Sequence, residues 1–167
     1  MFYDKVKESA EYIKTKIQGV PAIGVVLGSG LGSLVDIMED KMVIPYQDIP
    51  NFPRSTVAGH AGNLVVGRIG DQVVAAMQGR FHFYEGFEMK EVTYPIYVMK
   101  MLGIENLIVT NACGGINRSF VPGDLMILTD YINMLDEESC RVQIDAVYEP
   151  NWEHYKDDFG KTIAGFF

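Results

Sequence analysis

Apolar and polar residues follow two different periods along the first 134 residues, and the switches between them lay out the elements. Val6, Ala10, Ile13 and Ile17 recur at helical spacing with charged residues between them, which predicts an amphipathic helix over residues 3–18, ended by Gly19. Residues 21–27 form a β-branched apolar run that reads as a buried strand. That run leads straight into Gly28-Ser29-Gly30-Leu31-Gly32, after which residues 33–38 suit a helix. A short strand is expected over 42–45 and a loop over 47–55, where Pro50 and Pro53 interrupt any regular element. Residues 63–68 and 72–77 are apolar strands joined across Ile69-Gly70-Asp71, a hairpin signal. Helical periodicity returns over 89–102, but Pro95 favours a start near Tyr94, with Gly103 closing the helix. Residues 107–110 read as the next buried strand, Pro122-Gly123-Asp124 as a turn, and 125–129 as a further strand. Strands interleaved with helices, plus one hairpin, give an α/β domain with a mixed sheet.

The candidate chemistry lies where these elements change. Between the hairpin and the second helix stands Gln78-Gly79-Arg80-Phe81-His82-Phe83-Tyr84-Glu85-Gly86. If it starts extended, Arg80, His82 and Tyr84 project to one face while Phe81 and Phe83 anchor the other. A guanidinium fork, a titratable imidazole and a phenol on one face suit an anion held beside a ring-shaped group. An edge strand with solvated Arg and His is the competing reading. The glycine loop around Ser29 lets the backbone approach a ligand closely, and the N–H groups opening a helix favour negative charge there. It lacks the Lys of a P-loop and the spacing of a dinucleotide fingerprint, and a glycine loop equally marks a tight turn. His60, between Gly59 and Gly62, is either a gate over a site or an exposed loop residue. The strand ending at Thr110 runs into Asn111-Ala112-Cys113-Gly114-Gly115. Ligands in open α/β sheets collect past such strand ends, so those at Leu27 and Thr110 are expected to face one crevice.

Composition narrows the partners. At 167 residues, 48% of them hydrophobic, the chain is expected to form one domain with a sizeable core. A formal charge of -8 argues against nucleic acid and anionic membrane surfaces, while leaving room for a small anion that answers to local cations. Cys113 and Cys140 form neither a disulfide framework nor a metal spacing, and His60, His82 and His154 are scattered, so reduced thiols in a cytoplasmic compartment and no metal site are expected. The charged residues Asp4, Lys5, Lys7, Glu8 and Glu11 do not read as a signal peptide, and the apolar runs are too short for a bilayer.

Four pieces together resemble the trimeric purine nucleoside phosphorylases, the family that includes methylthioadenosine phosphorylase. They are Gly28-Ser29-Gly30-Leu31-Gly32, Gly59-His60-Ala61-Gly62-Asn63-Leu64, the 78–86 stretch, and Val109-Thr110-Asn111-Ala112-Cys113-Gly114-Gly115 with Gly123-Asp124. They stand in the family's order over residues 20–134, and Arg-Phe-His-Phe-Tyr-Glu-Gly is closer to a purine nucleoside phosphorylase than to a methylthioadenosine phosphorylase. The resemblance implies a phosphorylase-like mixed β-sheet flanked by helices, no metal or organic cofactor, inorganic phosphate as co-substrate, a homotrimer and a role in cytoplasmic purine salvage. The implied reaction is phosphorolysis of purine nucleosides to free base and ribose 1-phosphate. Ser29, His60, Arg80, His82 and the backbone N–H of Ala112 would hold phosphate, with Arg80 and His82 the catalytic pair. Tyr84 would lie against the ribose, and Ala112 with Cys113 would border the nucleoside's base.

After Met134 the chain departs from the family's pattern. Residues 1–134 are therefore expected to be the N-terminal part of a single phosphorylase domain, and 135–167 a divergent tail, leaving the sheet incomplete on its C-terminal side. The family's Glu and Asn that help the purine leave fall beyond this chain. Two alternatives follow: a non-catalytic remnant that keeps a phosphate half-site, and a methylthioadenosine phosphorylase. Uncovered apolar edges predict an oligomer.

Overall fold

Apolar runs without alternation need burial on both faces of a sheet, and that requirement organises the molecule. A computed structural model of the chain describes residues 1–54 and 62–130. Helix α1 (Phe2–Lys14) precedes β1 (Ile23–Leu27), β2 (Glu39–Pro45), β3 (Asn63–Ile69), β4 (Gln72–Gln78), helix α2 (Met89–Met101) and β5 (Asn106–Val109). The strands form one sheet in the order β2-β3-β4-β1-β5. β1 runs parallel to β4 and β5, whereas β3 is antiparallel to both β2 and β4, so the sheet is mixed as the sequence predicts.

Both sheet faces are apolar. On one, Val6, Ala10 and Ile13 of α1 and Tyr97, Val98 and Met99 of α2 bury Val26, Leu64, Val66, Ala75 and Met77. On the other, Val25, Leu27, Val65, Val74 and Ala76 pack with Val35 and Met38. Neighbouring residues Val25, Val26 and Leu27 therefore face alternate cores, which explains why β1 shows no polar alternation. A chain of edge-on and tilted rings runs from Phe2 through Tyr94, Phe52 and Tyr46 to Phe81, with centroids 5.5 to 5.8 Å apart, and carries the first core up to the 78–86 stretch.

Several elements differ from the sequence expectation. Helix α2 starts at Met89 rather than near Tyr94, because Glu88 and Glu91 form a reciprocal capping box, with the Glu88 N–H donating to Glu91 Oε2 at 2.9 Å. Pro95 is then an interior helical residue, buried among the α2 contacts that offset its missing N–H. The expected helix over 33–38 is a 3-10 helix, Gly32–Ile37, with Val35 as its buried residue. β2 begins earlier than expected and is irregular between Glu39 and Met42, where Asp40 has φ 48°. Residues 125–129 are not a strand: Leu125 and Ile127 are 91% and 90% exposed, and no described strand pairs with them. An apolar run without a ladder partner leaves the backbone irregular. The expected tail over 135–167, like His60, lies outside the described residues.

Candidate functional site

Parallel pairing brings the chemical turns together. In the register Leu27 is opposite Gln78 and Val26 is opposite Val109, so β1, β4 and β5 end at the same edge of the sheet. Gly28, Gly79 and Thr110 leave that edge side by side. The join between the first and third of these is direct: the Gly28 N–H donates to Thr110 Oγ1 at 2.8 Å, and Thr110 Oγ1 donates to Val26 O at 3.0 Å. Gly28 has to be glycine for reasons of space, since a Cβ there would lie 2.7 Å from Thr110 O and 2.9 Å from Asn111 Cα, both backbone atoms that cannot swing aside.

The 78–86 stretch is pinned from below before it presents anything above. The Tyr46 hydroxyl donates to Gly79 O at 2.7 Å, and burial pushes that hydroxyl's pKa up, so it stays a donor. Phe81 is buried against Tyr46 and Phe87, with ring centroids at 5.5 and 5.4 Å. Arg80 is thereby held half-buried over the strand ends. Its Nη1 donates to Thr110 O at 2.7 Å and its Nε donates to His82 Nε2 at 2.9 Å. Because His82 Nε2 accepts, the ring proton is assigned to Nδ1, which donates to Glu85 Oε1. The Glu85 side chain is buried, 4% exposed, and its second oxygen has no hydrogen-bond partner among the described residues.

A 3-10 turn, Phe83–Glu85, followed by Gly86 at φ 91°, ends the extended part of the stretch. That turn corrects the expected alternation: Phe81 anchors as foreseen, but Phe83 is 52% exposed. Tyr84 is carried outward as well, 80% exposed, yet its ring stacks on His82 with centroids 4.7 Å apart and planes at 22°. Arg80, His82 and Tyr84 therefore do form one array, held by a hydrogen bond and a ring contact instead of by strand geometry.

Of the other expected site residues, Ser29 is exposed in the turn directly after Gly28, and Ala112 and Cys113 are exposed in the irregular segment after β5. The turns that carry Ser29, Arg80 and Ala112 are tied to one another through Gly28 and Thr110. His60 lies outside the described residues. Two residues escaped the sequence reading. Glu85 had a signal in its spacing, three residues after His82 in a segment bounded by glycines. Thr110 had none beyond its place at a strand end.

The arrangement can hold an oxyanion. Two N–H groups of the guanidinium are engaged within the protein and fix its plane, while the rest remain for a ligand. The family profile described as phosphorylase superfamily matches residues 22–161. The chain belongs to the phosphorylase superfamily. Within it, the chain is 57% identical over 128 residues to purine nucleoside phosphorylase 1 of Geobacillus stearothermophilus, an alignment covering 77% of the chain and 47% of the relative. It is 44% identical over 132 residues to the Bos taurus purine nucleoside phosphorylase, covering 79% and 46%. Among solved structures, isoform 2 of the Schistosoma mansoni purine nucleoside phosphorylase, in complex with cytosine and ribose-1-phosphate, superposes with a TM-score of 0.76 at 43% identity, covering 92% of this chain and 52% of that one. A Schistosoma mansoni purine nucleoside phosphorylase in complex with inosine gives a TM-score of 0.76 at 43% identity, covering 91% and 52%. The chain spans about half the length of the curated relatives it matches.

Proposed function

We propose that this chain carries the phosphate- and ribose-binding half of a purine nucleoside phosphorylase site, acting in phosphorolysis of purine nucleosides to free base and ribose 1-phosphate. The observation that carries the reading is the convergence of the glycine turn, the Arg80 stretch and the end of β5, joined by the Arg80–Thr110 and Gly28–Thr110 hydrogen bonds. Relatives named purine nucleoside phosphorylase, at 57% and 44% identity, support the purine nucleoside class over a methylthioadenosine one. Residues 1–134 belong to one phosphorylase domain in this reading. Phosphate as co-substrate without a metal or organic cofactor, a homotrimer and a place in cytoplasmic purine salvage go with it.

The chemistry follows from the array. Breaking the N-glycosidic bond builds positive charge on the sugar, and a phosphate dianion held beside the anomeric carbon stabilises that charge and attacks it. Arg80 presents its free N–H groups to the phosphate, with Ser29 and the N–H of Ala112 completing the shell. His82 keeps Arg80 in plane through its Nε2 and offers a platform to Tyr84, whose exposed ring is available to the ribose. Ala112 and Cys113 border the base, and His60 joins the phosphate from its loop.

The test is hypoxanthine release from inosine with and without inorganic phosphate, paired with calorimetric phosphate binding. Phosphate-dependent release, reduced by about a hundredfold or more in Arg80→Ala, is the expected result, since loss of a charged partner to a dianion costs about 3 kcal/mol. Phosphate-independent release, or an unchanged Arg80→Ala, overturns the reading. Phosphate binding without turnover points instead to a non-catalytic half-site.

A further inference from the structure

We infer that Thr110 is a positioning residue for the phosphate half-site: its hydroxyl fixes the carbonyl oxygen against which Arg80 is held. The inference rests on the phosphate reading above and adds to it the device that orients the cation.

Thr110 stands where β1 and β5 part, and it closes every polar group at that point. Its backbone N–H donates to Val26 O at 3.1 Å, and its hydroxyl donates to the same oxygen at 3.0 Å. A carbonyl has two lone pairs, so both bonds are satisfied together. With its single hydrogen committed to Val26, the hydroxyl receives the Gly28 N–H at 2.8 Å. The Thr110 carbonyl is then confined from two sides. Gly28 packs so closely that a Cβ would sit 2.7 Å from this oxygen, and Arg80 Nη1 donates to it at 2.7 Å. Threonine suits the place because a β-branched side chain has few χ1 states, and its hydroxyl can both accept and donate. Valine has the same shape and neither capacity. It would leave the Gly28 N–H without its acceptor and free the Thr110 peptide to tilt, and the Arg80 plane would tilt with it.

A purely structural strand-end role would lower stability and nothing else, so the test reads the cation and the anion as well as the fold. Thr110→Val, Thr110→Ser, Gly28→Ala and Arg80→Ala are compared with Ser9→Ala, a buried variant far along α1 that perturbs stability alone. Three quantities are measured on the full chain: inorganic phosphate affinity by calorimetry, proton exchange at the Arg80 Nε–H by NMR, and Tm. Thr110→Val is expected to weaken phosphate binding and speed Arg80 Nε–H exchange, each by about tenfold, the scale of one hydrogen bond. Thr110→Ser is expected to stay within about twofold of the parent in both, because the hydroxyl is kept. Gly28→Ala pushes on the same carbonyl from the other strand and is expected to reproduce the Thr110→Val effects, which keeps the test decisive if the valine variant does not fold. Ser9→Ala is expected to lower Tm without moving either of the other quantities. Unchanged Arg80 Nε–H exchange in Thr110→Val or Gly28→Ala overturns the inference, whatever happens to Tm. Phosphate affinity that is unchanged in Arg80→Ala overturns the phosphate reading itself, while the exchange measurement still decides the role of Thr110.

Discussion

Glu85→Gln isolates one charge in the array beneath the proposed phosphate half-site. Glu85 Oε1 accepts from His82 Nδ1, and His82 Nε2 accepts from Arg80 Nε, so the carboxylate sets the imidazole tautomer that Arg80 requires. A glutamine can keep this order only by turning its oxygen toward Nδ1. Turning its amide nitrogen there would move the ring proton to Nε2, where it would face the Arg80 Nε–H across 2.9 Å as a second donor. Among the described residues the second Glu85 oxygen is buried without a partner, and the glutamine N–H₂ in its place would be equally unpartnered, so that cost largely cancels. What remains is the difference between a charge-assisted and a neutral hydrogen bond, about 1 to 1.5 kcal/mol. Screening takes little from it, because the carboxylate is 4% exposed. Phosphate affinity should therefore fall by about five- to tenfold, with Tm lowered modestly. Calorimetric phosphate titration of both proteins, with the nucleoside KM measured alongside, reads the effect. An unchanged phosphate affinity would refute the reasoning, and so would a loss confined to the nucleoside.

The remaining predictions concern the stability of the core. Ser9, fully buried, lies within hydrogen-bond reach of Lys5 O, Pro50 O and the Tyr94 hydroxyl; its single hydrogen goes to a carbonyl, so Tyr94 must be the donor to Ser9. Ser9→Ala strands the Tyr94 hydroxyl and is expected to cost about 1–3 kcal/mol in denaturant unfolding, whereas Tyr94→Phe removes the donor with its partner's donation intact and should cost about 1 kcal/mol or less; equal costs would contradict that bonding order. Burial, aided by Glu8 and opposed by the Ser9 bond, pushes the Tyr94 hydroxyl from 10.0 up to about 12, and burial drives Tyr46 and Tyr97 upward too. A pKa raised in the folded state gives stability that is full below the unfolded value and lost as pH climbs, so the urea midpoint should hold up to about pH 10 and fall between about 10 and 12. Tyr94→Phe should flatten part of that fall, and a midpoint unchanged up to pH 12 would count against it.

How far the fold could be read from sequence depended on whether the decisive contact was local. The hairpin between β3 and β4 was legible because its signal sits in Gly70 and Asp71 themselves, and the register confirms Ile69 opposite Gln72. The buried face of helix α1 was legible because Val6, Ala10 and Ile13 mark it directly, but the helix ends at Lys14, four residues short of the expected end at Gln18. The start of α2 was missed because Pro95 looks like a breaker, while the Glu88–Glu91 box that overrides it uses a glutamate where a smaller capping residue is the usual sign. Residues 125–129 were misread for the opposite reason. Their apolar run is locally convincing, but a strand exists only with a ladder partner, and sequence pattern names no partner.

The candidate site shows the same division on a larger scale. Arg80, His82 and Tyr84 announce themselves as a group because they are neighbours in the chain, yet the contact that orients Arg80 is made by the Thr110 carbonyl just past β5, and a backbone carbonyl has no side-chain identity to read. Convergence of the three turns is a property of parallel pairing, and parallel registers are set by burial rather than by turn residues. The β1–β5 register places Val26 opposite Val109, and it is this pairing that lets the Thr110 hydroxyl reach both Val26 O and the Gly28 N–H. A slip of one residue would turn Thr110 to the other face of the sheet, and a slip of two would restore its face but move its hydroxyl away from the glycine turn. Packing of Leu107 against the first core opposes the first slip, which would turn that side chain to the other face. Gly28 rules out the second in physical terms, since it marks where the β5 backbone passes too close for any side chain. Leu107 and the glycine that follows β1 thus fix the site together, one choosing the face and the other the position along the strand.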